Sequence, residues 1–359
     1  MGVDLGTAHV GLSAVTAERE VFRGEAKLRT DISKKLTDRR MFRRSRRGRK
    51  TRYRKPRFEN RRRYKGWLPP SVQAKVDETL KAIRLVRSIL PITSITLEIG
   101  TFDPHKLKNP TVTGEGYQNG EQAGFWDVRE YVLWRDRHTC QACKGKSKHP
   151  VLEVHHLRAR SRGGSSRPDN LITLCKTCHQ KHHNGQPKQL LTPSASLKDA
   201  TQFNILKSRV VEAVKQWEIP VHITFGSETK AKRSKSGLAR GHDTDAFLIA
   251  GGETQARLDR GVLIQFVRRQ NRKLFKGSRS HIRNTIREAK GFRRFEMVRF
   301  KGQVGFVFGL RRTGYFDIRT LNGHQISSSA SWKRCRRLVS QRTLLVQFSE
   351  RRKTHSSPT

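Results

Sequence analysis

Between Cys140 and Cys178, the stretch CQACKGKSKHPVLEVHHLRARSRGGSSRPDNLITLCKTC places four of the chain's five cysteines in two C-x-x-C pairs, 31 residues apart. Four thiolates so spaced form the ligand set of a closed tetrahedral zinc site, so Cys140, Cys143, Cys175 and Cys178 are expected to draw both ends of a small module together. Between the pairs, VLEVHHL reads as a strand ending in two histidines, RSRGGSSRPDN as a turn and LITLC as a returning strand; CHQKHHN then opens a helix. The expected arrangement is ββα. His179 and His183 stand one helical turn apart and share a face. His182 is a near-equivalent candidate that spacing does not separate from His183. A closed zinc site has no vacant position for chemistry, so any reaction falls to the histidines.

These residues resemble the HNH nuclease motif. The resemblance implies that His156 is the general base that activates water, that Asn170 fixes the loop, and that His155 with His179 and His183 holds a divalent metal on the scissile phosphate. Imidazole suits the task because it takes up a proton near neutral pH, and a cation can neutralise the leaving oxygen.

The 76 Lys and Arg residues outnumber 30 Asp and Glu, for a net charge of +46, and only 34% of the residues are hydrophobic. A compact chain with that surplus repels itself unless an anion lies against it, which points to nucleic acid. No run of 18 apolar residues exists to span a bilayer, and GVDLGTAHVGLSAV after Met1 lacks a signal peptide's charged start. A soluble intracellular protein is expected, with no membrane partner. Cys335 stands alone and is expected to pack.

From Arg39 to Lys65, 16 of 27 residues are Lys or Arg. Neighbours three and four apart repel in such a helix, so it is expected to lie in a nucleic-acid groove, with Phe42, Tyr53 and Phe58 as anchors. PSVQAKVDETLKAIRLVRSILP follows with a helical period at Val72, Val76, Leu80, Ile83 and Val86, an N-cap candidate in Ser71 and a stop at Pro91. ITSITLEIGTFD reads as a strand and KNPTVTGEGYQNGEQAG as a linker. DATQFNILKSRVVEAVKQW reads as a helix and IPVHITFG as a strand. Beyond about residue 262, the short alternating segments FEMVRF, QVGFVFGL, YFDIRTL, HQISSSA and TLLVQF predict a small β domain.

Three acidic positions stand out. GVDLGT, with Asp4 on a strand before a glycine turn, occurs both in actin-like ATPases and in the first motif of RuvC-type nucleases. ITLEIG offers Glu98 on a strand. GHDTDAFLIA offers His242 and Asp245 three apart on one helical face, with Asp243 about 100° away and the weaker candidate. Carboxylates on three separate elements suit two Mg2+ ions about 4 Å apart acting on a phosphodiester.

The order of these features resembles IscB, the transposon-associated relative of the type II CRISPR effector nuclease. RRSRRGRKTRYRKPRFENR, GWLPPSV, LEIGTFD, EVHHLRARSRGGS, LCKTCH and GFRRFEMV all look like that family. In the family a small domain with a P-L-M-P motif precedes the first RuvC motif; here Met1 lies three residues before Asp4, and the first strand is expected to be short at its start. The resemblance implies an α/β protein with an RNase H-like (RuvC) core in segments 1–37, 67–104 and 189–262, and an arginine-rich bridge helix over 38–66. A linker at 105–124 leads to an HNH domain at 125–188 with its four-cysteine zinc site, and a basic C-terminal β domain at 263–359 contacts target DNA or guide RNA. It further implies a metal-dependent, RNA-guided DNA endonuclease, whose HNH site cuts the guide-paired strand and whose RuvC site cuts the displaced strand. Asp4, Glu98 and Asp245 would hold Mg2+ or Mn2+ with His242 beside them, Zn2+ would sit on the cysteines, and Arg43, Arg46, Arg47 and Arg54 would bind nucleic acid. The partners are a guide RNA and a double-stranded DNA target, the protein acting as a monomer with its RNA in the cytoplasm of a prokaryotic cell, at the nucleoid when on DNA. Two other classes fit parts of the pattern: an HNH endonuclease of homing or restriction type that reads bases itself, and a zinc-ribbon RNA-binding protein that does not cut.

Overall fold

The computed structural model describes residues 1–48, 64, 66–100, 111, 124–185, 198–267 and 286–349, with the side chains of 46–48 and 198–200 outside that set. Arg54, Tyr53, Phe58 and nearly all of the 105–124 linker therefore lie outside the described residues, as do the side chains of Arg46 and Arg47. The chain forms two units, Met1–Thr101 with Gln202–Thr359, and Phe102–Thr201.

The first unit opens with a meander of β1 (Gly2–Asp4), β2 (His9–Val15) and β3 (Glu20–Lys27). Helix α1 (Ile32–Gly48) follows and begins earlier than the expected bridge; Lys35 pairs with Asp31 one turn ahead of it, while Arg43 and Arg44 face solvent. Helix α2 (Pro70–Ile89) buries Val72, Val76, Leu80, Ile83 and Val86. Ser71 is not its cap. Pro69 holds that position and Pro70 opens the helix, because a proline has no N–H to leave unsatisfied in the first turn. Strand β4 (Ile95–Glu98) then pairs parallel with β1.

The inserted unit contains α3 (Val128–Arg135), β5 (Leu152–His156), β6 (Leu171–Cys175) and α4 (Lys176–His183), with β5 and β6 antiparallel. Asp127 caps α3 by accepting from the Glu130 amide at 2.9 Å. Its apolar core is small: Cys140, Ile172, Leu174 and Cys175 form one buried cluster, and Tyr131, Val132 and Leu171 another.

The chain re-enters the first unit through α5 (Lys198–Lys215), β7 (Val221–Thr224), α6 (Gly226–Lys235), α7 (His242–Ile249) and β8 (Val262–Phe266). Leu206, Val210 and Val214, each four apart on α5, join the α2 stripe over Val3, Leu12 and Leu97 on one face of the sheet. Helix α7 packs on the other face at very close range. A Cβ on Gly11 would stand 1.9 Å from the His242 carbonyl oxygen, and one on Gly2 would stand 2.1 Å from that of Ala246. Only glycine at both positions lets the helix backbone rest on the strands.

Strands β9 (Glu288–Ala289), β10 (Phe292–Arg293), β11 (Met297–Phe300), β12 (Gln303–Leu310), β13 (Tyr315–Arg319), β14 (Gln325–Ser331), β15 (Cys335–Val339) and β16 (Leu344–Phe348) complete the described chain. The five-stranded sheet β14-β13-β12-β11-β15 encloses Val298, Phe300, Val307, Phe316 and Ile318. The expected β domain at 263–359 differs from this at both ends. Strand β8 pairs with β3, and TLLVQF, as β16, pairs with β8, so both extend the large sheet to the order β16-β8-β3-β2-β1-β4-β7. Alternation identifies a strand but not the sheet edge it joins.

Candidate functional site

The inserted unit brings two sets of metal-type ligands together. The Sγ atoms of Cys140, Cys143, Cys175 and Cys178 all lie within 4.8 Å of one another. Cys143 and Cys175 are 3.9 Å apart, close to the roughly 3.8 Å separating two sulfurs that each lie 2.3 Å from a tetrahedral zinc. Cys175 ends β6 and Cys178 stands in the first turn of α4, while Lys144 and Gly145 turn the first pair back through positive φ (51° and 84°). Ser147 Oγ lies 2.9 Å from Cys175 Sγ and 3.3 Å from Cys143 Sγ, and it draws the Cys143 thiol down to about 6. The donor set fits zinc.

One ligand atom each from His155, His179 and His183 forms the second set, also within 4.8 Å of one another. His179 Nε2 and His183 Nε2 are 3.1 Å apart, a separation suited to two imidazoles on one ion. The Glu153 carboxylate holds His179 Nδ1, which orients the opposite nitrogen towards its partners. Burial first, then the neighbouring histidines, lower His155 to about 4, so its ring is a neutral donor at neutral pH. His182 stacks edge-on to His155 with ring centroids 4.6 Å apart, but it stands outside the ligand set, and its buried Nδ1 has no partner among the described residues. Geometry thus places His183 in the cluster where spacing left the two open.

His156 ends β5. Arg160 Nε donates to its Nε2 at 3.2 Å, and Ser166 Oγ lies 3.4 Å from the same atom. Burial, then the Arg160 charge, keeps this imidazole below its ordinary pKa and hence unprotonated. Asn170 clamps the adjoining loop: its Oδ1 accepts from the Arg158 amide at 2.9 Å, and its Nδ2 donates to the carbonyls of Arg158 (3.0 Å) and Ser165 (2.7 Å). Asn170→Ala is expected to cost about 0.5–1.5 kcal/mol locally for each bond lost, since the backbone groups that it holds are only partly buried. Faster hydrogen exchange at Arg158, with the rest of the unit still protected, is the measurement.

In the first unit, pairing register builds a second cluster. Glu25, Gly11, Asp4, Glu98 and Thr224 are successive cross-strand partners on β3, β2, β1, β4 and β7. Residues so paired point to one face, the face on which α7 sits. Asp4 Oδ2 lies 2.5 Å from His242 Nδ1, and that bond holds the imidazole above its usual pKa. Burial raises Glu98, with the charges of Asp4 and Asp245 adding to the effect, and its buried Oε2 has no hydrogen-bond partner among the described residues. An orphaned carboxylate oxygen beside two further acids is a donor set that fits a divalent cation. Asp245 Oδ1 meets Arg233 Nη1 at 2.5 Å. Asp243 points elsewhere, into a buried pair with Arg23.

Sequence reasoning missed His9, whose ring stacks on His242 (centroids 5.7 Å apart, 3° between planes) while its Nδ1 meets Glu25 Oε1 at 2.6 Å. The hairpin carried the signal: Asp4 pairs with Gly11, and strand alternation sets His9 on the same face. Arg233, Glu153 and Arg160 left no comparable pattern. Among the described residues, no helix is long and apolar enough to cross a membrane.

Residues 1–120 match the family described as RRXRR protein, and residues 140–185 match that described as HNH endonuclease. The chain is 33% identical over 72 residues to the type IV methyl-directed restriction enzyme EcoKMcrA of Escherichia coli, covering 18% of this chain and 26% of that enzyme. It is 50% identical over 34 residues to anaredoxin of Nostoc sp., covering 10% of this chain and 45% of anaredoxin. A solved structure of Streptococcus thermophilus Cas9 in complex with the AGAA PAM is similar at a TM-score of 0.34 and 12% identity, over 51% of this chain and 26% of that one. A probable HNH endonuclease of Lactococcus phage SK1 is 35% identical over 81 residues, which are 21% of this chain but 84% of the phage protein. With nearly that whole relative matched, the chain belongs to the HNH endonucleases, enzymes that hydrolyse phosphodiester bonds, and its RRXRR region joined to an HNH module matches an IscB-like nuclease.

Proposed function

We propose that this chain is an RNA-guided DNA endonuclease acting as a monomer with its guide RNA, in which the HNH module cuts the guide-paired strand and the acidic row of the large sheet cuts the displaced strand. The observation that carries this reading is the second cluster: Asp4, Glu98, Asp245 and His242 lie on a different unit from the HNH histidines. Two phosphodiester sites in one chain suit two strands. The central strand order β3-β2-β1-β4-β7, in which β2 alone runs opposite, supports an RNase H-like (RuvC) core.

In the HNH module, His156 Nε2 accepts the proton of the attacking water, for which Arg160 must first release that nitrogen. Asn170 holds the loop that follows His156 in place. His155, His179 and His183 would hold a divalent ion, and Asp4, Glu98 and Asp245, whose charges act on one another, would hold Mg2+ or Mn2+. When bound, these cations neutralise charge on the scissile phosphate and the leaving oxygen.

The test is the RNA that copurifies. A discrete RNA whose variable segment directs cutting of matching DNA in both strands is the expected result. The likeness to a restriction enzyme and a phage endonuclease over 72 and 81 residues favours a second reading, protein-guided cutting by the HNH module. Sequence-specific cleavage that survives complete removal of RNA would establish that reading instead.

Substituting Arg43, Arg46, Arg47 and Arg54 together by Gln should weaken RNA binding whatever the spacer sequence, because guanidinium groups grip backbone phosphates rather than bases. The slope of log K against log salt should become shallower by roughly 0.7–0.9 for each phosphate that is no longer neutralised. Parallel lines of equal affinity over a salt series would reject a nucleic-acid role for this segment.

A further inference from the structure

We propose that Arg233 is a substrate-contacting residue of the acidic site, gripping the scissile phosphate of the strand cut there. The inference rests on the reading of that site as a nuclease centre. Helix α6 presents two residues one turn apart to the acids: Thr229, whose hydroxyl favours the ionised form of Glu98, and Arg233, which is bound to Asp245. Positions i and i+4 share a helix face, so one face of α6 lines the cluster.

Comparison with the neighbouring acid of α7 shows that Arg233 does more than neutralise a carboxylate. Arg23 answers Asp243 with Nε and Nη2, at 2.7 and 2.6 Å, and uses Nη1 on the Leu258 carbonyl at 2.6 Å. All three of its nitrogens are engaged, and its side chain is 9% exposed. That is the pattern of a structural pair. Arg233 commits one nitrogen to one oxygen of Asp245 and remains 18% exposed, and its Nε and Nη2 have no partner among the described residues. A planar guanidinium held by one corner keeps donors in the fork geometry that matches two phosphate oxygens. Attack of water adds negative charge to the phosphoryl oxygens, and a cation already held at the acid row stabilises that charge without reorganisation.

The experiment compares the full chain with Arg233→Gln, Arg233→Lys and Glu98→Gln, each zinc-loaded and carrying its guide. It follows cutting of each DNA strand separately and binding of Mn2+ by electron paramagnetic resonance. Arg233→Gln is expected to slow cutting of the displaced strand by about 100-fold or more, to leave Mn2+ bound as tightly as in the parent, and to retain cutting of the guide-paired strand as the internal measure of folding. Lysine should recover part of the rate, since it keeps the charge but not the fork. A displaced-strand rate within about twofold of the parent overturns the proposal. So does Mn2+ binding that weakens in step with the rate, since Arg233 would then only position Asp245. If Glu98→Gln leaves displaced-strand cutting intact, the nuclease reading of the acidic site fails, and the role of Arg233 fails with it.

Discussion

Removing zinc from Cys140, Cys143, Cys175 and Cys178 is expected to unfold residues 124–185 while the seven-stranded sheet stays folded. The unit's two buried clusters, built around Ile172 and Leu174 and around Tyr131, Val132 and Leu171, are too small to hold a segment of this length against chain entropy. A structural zinc contributes on the order of 10 kcal/mol to a module of this kind. The sheet rests instead on a continuous core running from Val3 and Leu12 through Ile83 and Val86 to Leu206 and Val210. Helix α4 carries Cys178 one residue before His179, so removal of zinc should also scatter the histidine cluster and abolish cutting by this module. Limited proteolysis of the Cys140→Ser, Cys175→Ser double variant decides the matter. Protease resistance equal to the parent's would rule out the four-thiolate site.

The second large effect is separation of the two cuts. His156→Ala should lower cutting of the guide-paired strand by about 10²–10⁴-fold, the usual contribution of a positioned general base, and leave nicking of the displaced strand. Asp4→Ala should do the reverse, because Asp4 is the central member of the acidic row and the bonding partner of His242. The sites lie on different units and draw on separate residues, histidines in one and acids in the other, so neither change has a route to the other chemistry through a shared ligand. Strand-specific labelling of a DNA target reads both rates at once. Abolition of both cuts by either substitution, in a protein that still folds and binds DNA, would contradict the division of labour.

Much of the inserted unit was legible in the sequence because its ligands are local. The C-x-x-C pairs, the His179 and His183 spacing and the β5–β6 hairpin are properties of short segments, and chain geometry alone brings their members onto common faces. The stripe of α2 was legible for the same reason, whereas its cap was not: Ser71 has the right chemistry, but the prolines beside it set the helix start two residues earlier.

The acidic row is different in kind. Alternation tells which residues share a face of their own strand, and nothing in it states which strand lies alongside or in what register. Asp4 meets His242 across 238 residues of chain, and Arg23 meets Asp243 across 220. Those meetings depend on Gly2 and Gly11 admitting the backbone of α7 and on parallel pairing of β1 with β4. His9, Glu25 and Arg233 entered the site only through that packing, as β8 and β16 entered the large sheet only through its open edge. Local spacing was therefore enough to pick out the four cysteines of the HNH module and left His182 and His183 open until the fold placed His183 in the cluster, while the residues that surround the acids were decided by tertiary register, because they belong to elements that make contact only when the whole sheet has formed.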